Sequence, residues 1–113
     1  MNCLFCQIAE KKIPSKVAFE SKDVLGFHDI HPQAPVHVLF VPKRHISGVE
    51  EIDSTNESVL AVLFAAARQV ARELNVNEKG YRLVVNNKAD GGQTVDHLHL
   101  HLLAGRRMTW PPG

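Results

Sequence analysis

The chain has 113 residues, of which 44% are apolar and 22% are charged; this composition excludes a disordered polymer and fits one domain, 1–113, with a single core. A net charge of +1 excludes the strongly basic surface typical of nucleic-acid binding, and no apolar run is long enough to cross a membrane. Two cysteines without an export signal favour a reducing compartment, so we expect a cytoplasmic protein, or one that also enters the nucleus.

Hydrophobic periodicity, prolines and glycines predict two helices and five strands. In chain order, the predictions are a helix at 3–11, strands at 17–20, 24–29 and 36–41, a helix of about five turns after a capping box at Ser54 and Glu57, a strand at 81–86, a tight loop at 87–93, and a last strand that carries three histidines. The order is not a regular alternation of strand and helix. It therefore favours an α+β fold with a mostly antiparallel sheet.

Three histidines stand at alternate positions near the end of the chain. His97, His99 and His101 are separated by Leu98 and Leu100. On a strand, this spacing places the imidazoles on one face and the leucines on the other. The row can be three solvated side chains on an edge strand, a metal site, or a site of nucleophilic catalysis.

Nucleophilic catalysis places a chemical requirement on the attacking imidazole. Its ring must be neutral, and the nitrogen that attacks phosphorus must carry no proton. A carbonyl group or a second histidine must therefore accept the N–H of the other ring nitrogen.

Cys3 and Cys6 form a second candidate site. At positions i and i+3 of a helix, the two thiols share one face and can bind one ion. Structural zinc requires four ligands, so the pair alone also fits two reduced, partly buried cysteines.

The segment around the histidines resembles the signature of the histidine triad nucleotide-binding superfamily. This segment runs from Gly92 to Leu103. Other segments resemble the Hint branch of that superfamily along essentially the whole chain: Ile13-Pro14, Phe27-His28-Asp29-Ile30, Pro32-Gln33-Ala34-Pro35, Val36-His37-Val38-Leu39, Pro42-Lys43-Arg44-His45-Ile46 and the terminal Trp110-Pro111-Pro112-Gly113.

The resemblance implies a single domain of the histidine triad (HIT) fold, with a five-stranded antiparallel sheet and two helices. It also implies a homodimer whose sheets join into one of ten strands. The implied activity is hydrolysis of purine nucleoside phosphoramidates, through a nucleotidyl-histidine intermediate, to a nucleoside monophosphate such as AMP or GMP and an amine. No cofactor is implied for the chemistry, whereas a structural zinc is an open expectation.

The resemblance also implies a role for each matched residue. His99 is the nucleophile, His101 orients it, His97 lies beside it, and His37 is the fourth histidine of the site. The residues implied in nucleotide binding are Phe5, Ile8, Phe27, Ile30 and Leu39 around the base, with Leu4 nearby, Asp29 at the ribose, Asn86, Gly92, Gln93 and Thr94 at the phosphate and leaving group, and Trp110 in the partner's site. The residues implied in zinc binding are Cys3, Cys6, His45 and His97.

Without the resemblance, several of these residues have simpler interpretations. Phe5 and Ile8 are spaced as core residues, Asp29 as a turn former, and Gly91-Gly92 as a turn. Thr94 stands where the Hint branch commonly has serine, and its hydroxyl is kept. Alternative functions are a dinucleoside polyphosphate hydrolase of the same fold, a non-catalytic nucleotide-binding or interaction module, and a metal-dependent hydrolase.

Overall fold

The computed structural model of the chain describes residues 3–113, which form one five-stranded antiparallel sheet in the order β1-β2-β3-β5-β4. The elements, in chain order, are α1 (Leu4–Ala9), β1 (Val17–Glu20), β2 (Val24–His28), β3 (Val36–Pro42), a 3-10 turn (Val49–Glu51), α2 (Ser58–Glu73), β4 (Tyr81–Val84), α3 (Lys88–Gly91) and β5 (Leu100–Ala104). The predicted fold class is confirmed. The single helical turn α3 lies in the predicted tight loop, and β4 ends two residues earlier than predicted.

The long helix α2 covers one face of the sheet. It buries Leu63, Ala67 and Val70 against the sheet, and its buried alanines allow the backbone to come close. Burial of each large apolar side chain contributes roughly 1.5–3 kcal/mol. In the described range 3–113, α2 is the longest helix, and none of the helices is long and apolar enough to cross a membrane.

The short helix α1 packs on the opposite face of the sheet. Phe5 and Ile8 of this helix contact a second buried cluster that includes Leu25, Phe27 and Leu39. Alternate residues of β2 therefore enter different clusters, because Val24 belongs to the α2 side and Leu25 to the α1 side.

The last strand starts later than its histidines. β5 begins at Leu100, so His97 and His99 lie on the segment that leads into it, and only His101 is in the strand. The ladder with β3 extends no further than the Phe40–Leu100 pair, near the proline that ends β3 and has no N–H to donate. The alternation of faces still holds, since the leucines at 98, 100 and 102 are buried in the α2-side cluster.

The predicted capping box at Ser54 and Glu57 is wrong. The side chain of Asp53 instead accepts hydrogen bonds from the N–H and hydroxyl of Thr55, while Asn56 accepts from the N–H of Asp53. These local bonds hold a turn, and α2 begins only at Ser58, without a side-chain bond from its N-cap residue Glu57.

Candidate active site and metal cluster

A cleft of about 330 Å³ opens on the α1 side of the sheet. Its walls are mostly apolar, and polar side chains gather among them, which is the usual character of a small-molecule site. The lining residues are Leu4, Phe5, Ile8, Ile13, Pro14, Ser15, Phe27, His28, Asp29, Ile30, His31, Leu39, Thr94, Val95, His99 and His101.

His99 is held in one tautomer by a main-chain carbonyl. Its Nδ1 lies 2.7 Å from the carbonyl oxygen of His97, and the side chain is buried. A carbonyl only accepts hydrogen bonds, so Nδ1 must carry the proton. The neutral ring therefore keeps its lone pair on Nε2, and this is the condition that a nucleophilic imidazole requires.

His37 and His101 form a hydrogen-bonded pair with a defined proton order, by which we mean which nitrogen of each neutral ring carries the proton. The main-chain N–H of Gln33 donates to Nδ1 of His37 at 3.0 Å, so the proton of the neutral His37 ring is on Nε2. That Nε2 lies 2.9 Å from Nδ1 of His101 and donates to it. The proton of His101 is consequently on its Nε2, a buried atom without a hydrogen-bond partner among the described residues.

Burial keeps these imidazoles neutral. It lowers the pKa of His37 and of His99, in each case against the raising effect of the Asp29 carboxylate. The pKa of His101 falls further, to about 4, because burial is reinforced by the neighbouring rings of His99 and His37. At neutral pH the rings of His37, His99 and His101 are thus uncharged hydrogen-bond donors and acceptors.

Asp29 lies at the edge of the cleft beside the histidine pair. One carboxylate oxygen accepts from the N–H of His31 at 2.9 Å, and the other lies 3.5 Å from Nε2 of His37. The side chain is about one-fifth exposed, so the carboxylate can also accept hydrogen bonds from a ligand.

Four sulfur and nitrogen donors meet next to the cleft, behind His99. They belong to Cys3, Cys6, His45 and His97, and all the ligand atoms lie within 4.8 Å of one another. Sγ of Cys3 lies 3.3 Å and Sγ of Cys6 lies 3.5 Å from Nδ1 of His97, and Sγ of Cys6 lies 3.3 Å from Nδ1 of His45.

These four residues fit a structural zinc ion. Zn–S bonds of about 2.3 Å and Zn–N bonds of about 2.0 Å place tetrahedral sulfur and nitrogen ligands about 3.5 Å apart, close to the observed separations. Nε2 of His97 lies 2.8 Å from the carbonyl of Pro42 and donates to it, so Nδ1 presents its lone pair to the cysteines. Burial raises the pKa of the metal-free Cys6 thiol to about 11, and zinc would bind the thiolate.

The structure brings together most of the predicted nucleotide site. Its cleft includes the predicted base-pocket residues together with Asp29, Thr94, His99 and His101, and His37 adjoins it through His101. Four predicted residues are outside the cleft lining: Asn86, Gly92, Gln93 and Trp110.

Two of these four residues, Gly92 and Gln93, stabilise the loop between β4 and β5. Gly92 ends α3 in the left-handed region with φ of 81°. The Gln93 side chain joins three segments, since it accepts from the N–H of Lys88 and donates to the carbonyls of Ser47 and Val95.

Part of the site has no signal in the sequence. His28, Val95 and Ser15 line the cleft, but their spacing carries no signal of a ligand. The backbone N–H of Gln33 fixes the His37 tautomer, and a main-chain donor cannot be recognised from residue type.

Comparisons with known proteins agree with this architecture. Residues 10–108 match the family model of the HIT domain. The 14 kDa zinc-binding protein of Zea mays is 43% identical in an alignment of 112 positions that covers 97% of this chain and 87% of that protein. A HIT family hydrolase from Legionella pneumophila superposes with a TM-score of 0.96 at 50% identity, over 99% of this chain and 100% of that one. A histidine triad nucleotide-binding protein from Candida albicans has a TM-score of 0.84 at 30% identity, over 97% and 83%.

Proposed function

The chain belongs to the HIT domain family, and from this premise we propose that it is a purine nucleoside phosphoramidate hydrolase of the Hint branch. The observation that carries the proposal is the hydrogen bond from His99 Nδ1 to the carbonyl of His97. It leaves an unprotonated Nε2 on a histidine that lines a nucleotide-sized cleft. The hydrolase and nucleotide-binding relatives support the same reaction class.

Apolar residues of the cleft would bind the base of the nucleotide, and polar residues would bind its ribose and phosphate. Phe5 and Phe27, which meet edge to face with centroids 5.5 Å apart, would hold the purine together with Ile8 and Leu39. The Asp29 carboxylate would accept the ribose hydroxyls, and the 5'-phosphate would then reach the two histidines.

The first chemical step forms a bond between His99 Nε2 and phosphorus and breaks the bond between phosphorus and the amine nitrogen. The departing nitrogen takes the proton of His101 Nε2, a buried atom without a partner among the described residues, and a proton from solvent replaces it so that the ring stays neutral. The Thr94 hydroxyl, also in the cleft, would donate to a phosphoryl oxygen. The intermediate is a nucleotidyl-His99.

The second step reverses the proton flow. Water attacks phosphorus and gives up a proton, which passes to solvent by way of His101 Nε2, and the bond between phosphorus and His99 Nε2 breaks. The products are a nucleoside monophosphate, such as AMP or GMP, and the original protein. Two displacements predict net retention of configuration at phosphorus.

A zinc ion bound by Cys3, Cys6, His45 and His97 would supply rigidity and no reacting group. The same residue, His97, gives its ring to the cluster and its carbonyl to His99. The Phe5 ring, between the two cysteines in sequence, also contacts the rings of both histidines, with centroids 6.0 and 5.1 Å away. The metal cluster would thus hold the nucleophile in position from behind.

We also propose that the active form is a homodimer with a ten-stranded sheet. The strand order leaves β4 at an edge, and Trp110, which is 82% exposed, lies over this strand. Pairing of two β4 edges would form the larger sheet and bring the exposed Trp110 toward the partner's cleft.

Turnover of a fluorogenic adenosine phosphoramidate tests the proposed function directly. We expect His99→Ala to lose at least about a thousandfold in kcat, because it lacks the attacking atom. His99→Gly should recover turnover when imidazole is added, since the free ring can occupy the space. Wild-type protein quenched in alkaline denaturant, in which a bond between phosphorus and histidine nitrogen survives, should carry a covalent nucleotide that both variants lack. Equal rates for the wild type and His99→Ala would overturn the assignment.

The choice of substrate separates the proposal from the dinucleoside polyphosphate alternative. We expect kcat/KM for the phosphoramidate to exceed that for diadenosine triphosphate. The reverse order would favour the polyphosphate hydrolase, and tight AMP binding without turnover of either compound would favour a non-catalytic module.

A further inference from the structure

We propose that Arg106 is a positioning residue that fixes the proton order of the His37–His101 pair through the Gln33 loop. This inference deepens the proposed function, on which its kinetic part rests. Arg106 lies outside the cleft, and its guanidinium donates to the carbonyl of Gln33 from Nε at 3.3 Å and from Nη2 at 3.1 Å.

The ends of two paired strands bring Arg106 and Gln33 together. Val36 at the start of β3 pairs with Ala104 at the end of β5, so the segments before and after this pair lie side by side. A Cβ on Gly105 would come within 2.7 Å of the Pro35 side chain, and its φ is +92°. The close approach therefore depends on glycine.

The backbone of Gln33 links the Arg106 side chain to the active site. Its carbonyl accepts from Arg106, and its N–H donates to Nδ1 of His37. Its side-chain amide also donates to the carbonyl of His31, which ties the loop to itself. Four hydrogen bonds thus hold Gln33, and in the one that reaches the active site its main-chain N–H is the donor.

The Gln33 N–H selects between two proton arrangements of the histidine pair. With the donor in place, Nδ1 of His37 must be a lone pair, and the proton of His101 is on Nε2. Without the donor, the pair can reverse: His37 carries its proton on Nδ1, and His101 donates from Nδ1 to Nε2 of His37. His101 would then have no proton on Nε2 for the departing amine.

The proposal is tested by Arg106→Ala in the full chain with its metal. Two-dimensional ¹⁵N NMR of the ring nitrogens reports which nitrogen of each histidine is protonated, without substrate. We expect the wild type to show protonated Nε2 in both rings, and the variant to show a second population with protonated Nδ1. With the phosphoramidate we expect kcat to fall about 10-fold to 100-fold and KM to stay within twofold, because ground-state binding is untouched.

Arg107→Ala is the matched control, since only the backbone carbonyl of Arg107 enters this network. It should keep the wild-type NMR signals and a kcat within twofold. Arg106→Lys retains a cationic donor and should bring kcat back to within about fivefold. If Arg106→Ala does not fold, Arg106→Lys and Gln33→Pro, which deletes the N–H, provide the NMR test.

Two results would overturn the inference. One is an unchanged proton order in Arg106→Ala, whatever the rate does. The other is a changed proton order with unchanged kcat, which would remove the link to turnover. If the wild type itself does not hydrolyse the phosphoramidate, the proposed function fails, while the NMR measurement still decides whether Arg106 controls the pair.

Discussion

Acid should lower the free energy of unfolding because burial keeps several histidines neutral in the folded protein. His101 makes the effect largest, since its pKa is the most strongly lowered. Its pKa falls from about 6.5 in the unfolded chain to about 4 in the folded protein. Between these values the unfolded chain binds a proton and the folded chain does not. The free energy of unfolding is therefore highest above pH 6.5 and falls as the pH drops toward 4.

This single histidine contributes about 3 kcal/mol to the change, since each pH unit in the interval is worth about 1.4 kcal/mol. The pKa values of His37, His97 and His99 are lowered too, so their contributions have the same sign. Below about pH 4, His101 is protonated in both states, and its contribution to the slope ends.

Urea denaturation at about pH 7, 6, 5 and 4 measures the effect in the wild type and in His101→Gln. We expect the loss of unfolding free energy between pH 7 and 4 to be about 3 kcal/mol smaller in His101→Gln. Release of zinc in acid would destabilise both proteins equally, so it cancels when the unfolding free energy of His101→Gln is subtracted from that of the wild type at each pH. His31→Gln is the matched control, because His31 is exposed, and it should follow the wild type. Equal pH dependence in the wild type and His101→Gln would refute this reasoning.

Three substitutions test other parts of the structure. Cys6→Ser should lower the zinc content measured by mass spectrometry and the melting temperature by several degrees, at about 4 °C per kcal/mol; unchanged zinc would contradict the assigned ligands. Leu98→Ala should cost about 3–5 kcal/mol in urea denaturation because the side chain is buried, whereas Leu74→Ala, at a position that is 37% exposed, should cost less than about 1 kcal/mol. Gly105→Ala should destabilise more than Gly80→Ala, since both have positive φ but only Gly105 faces a neighbouring side chain; equal melting temperatures would show that the contact is unimportant.

Local patterns in the sequence were sufficient to predict the sheet and the two faces of its last strand. The alternation of histidines and leucines at 97–102 predicted which side chains face the helix core, and burial confirms it. Strand bounds at 17–20 were also predicted correctly, because a charged turn and a proline mark the ends. Such signals depend on neighbours in the chain.

Features set by main-chain acceptors or by long-range contacts could not be predicted in the same way. The capping box failed because the N–H of Glu57, which the Ser54 side chain was expected to bind, donates to the main-chain carbonyl of Asp53. The Cys3–Cys6 spacing gave two ligands, whereas His45 and His97 were expected only through the family resemblance. The acceptor for His99 is a backbone carbonyl, and no side-chain pattern encodes its position.

The opposed faces of the segment from His97 to Leu102 leave it no tolerance for changes in chain length. Deletion or insertion of one residue there would exchange the faces, placing imidazoles beneath α2 and leucines in the cleft. The packing of the core and the lining of the cleft would be lost together, and a substitution on one face could not restore the residues of the other face. Exposed turns such as 77–80 have no such constraint, so differences in length among proteins of this shape are expected at such turns and not between His97 and Leu102.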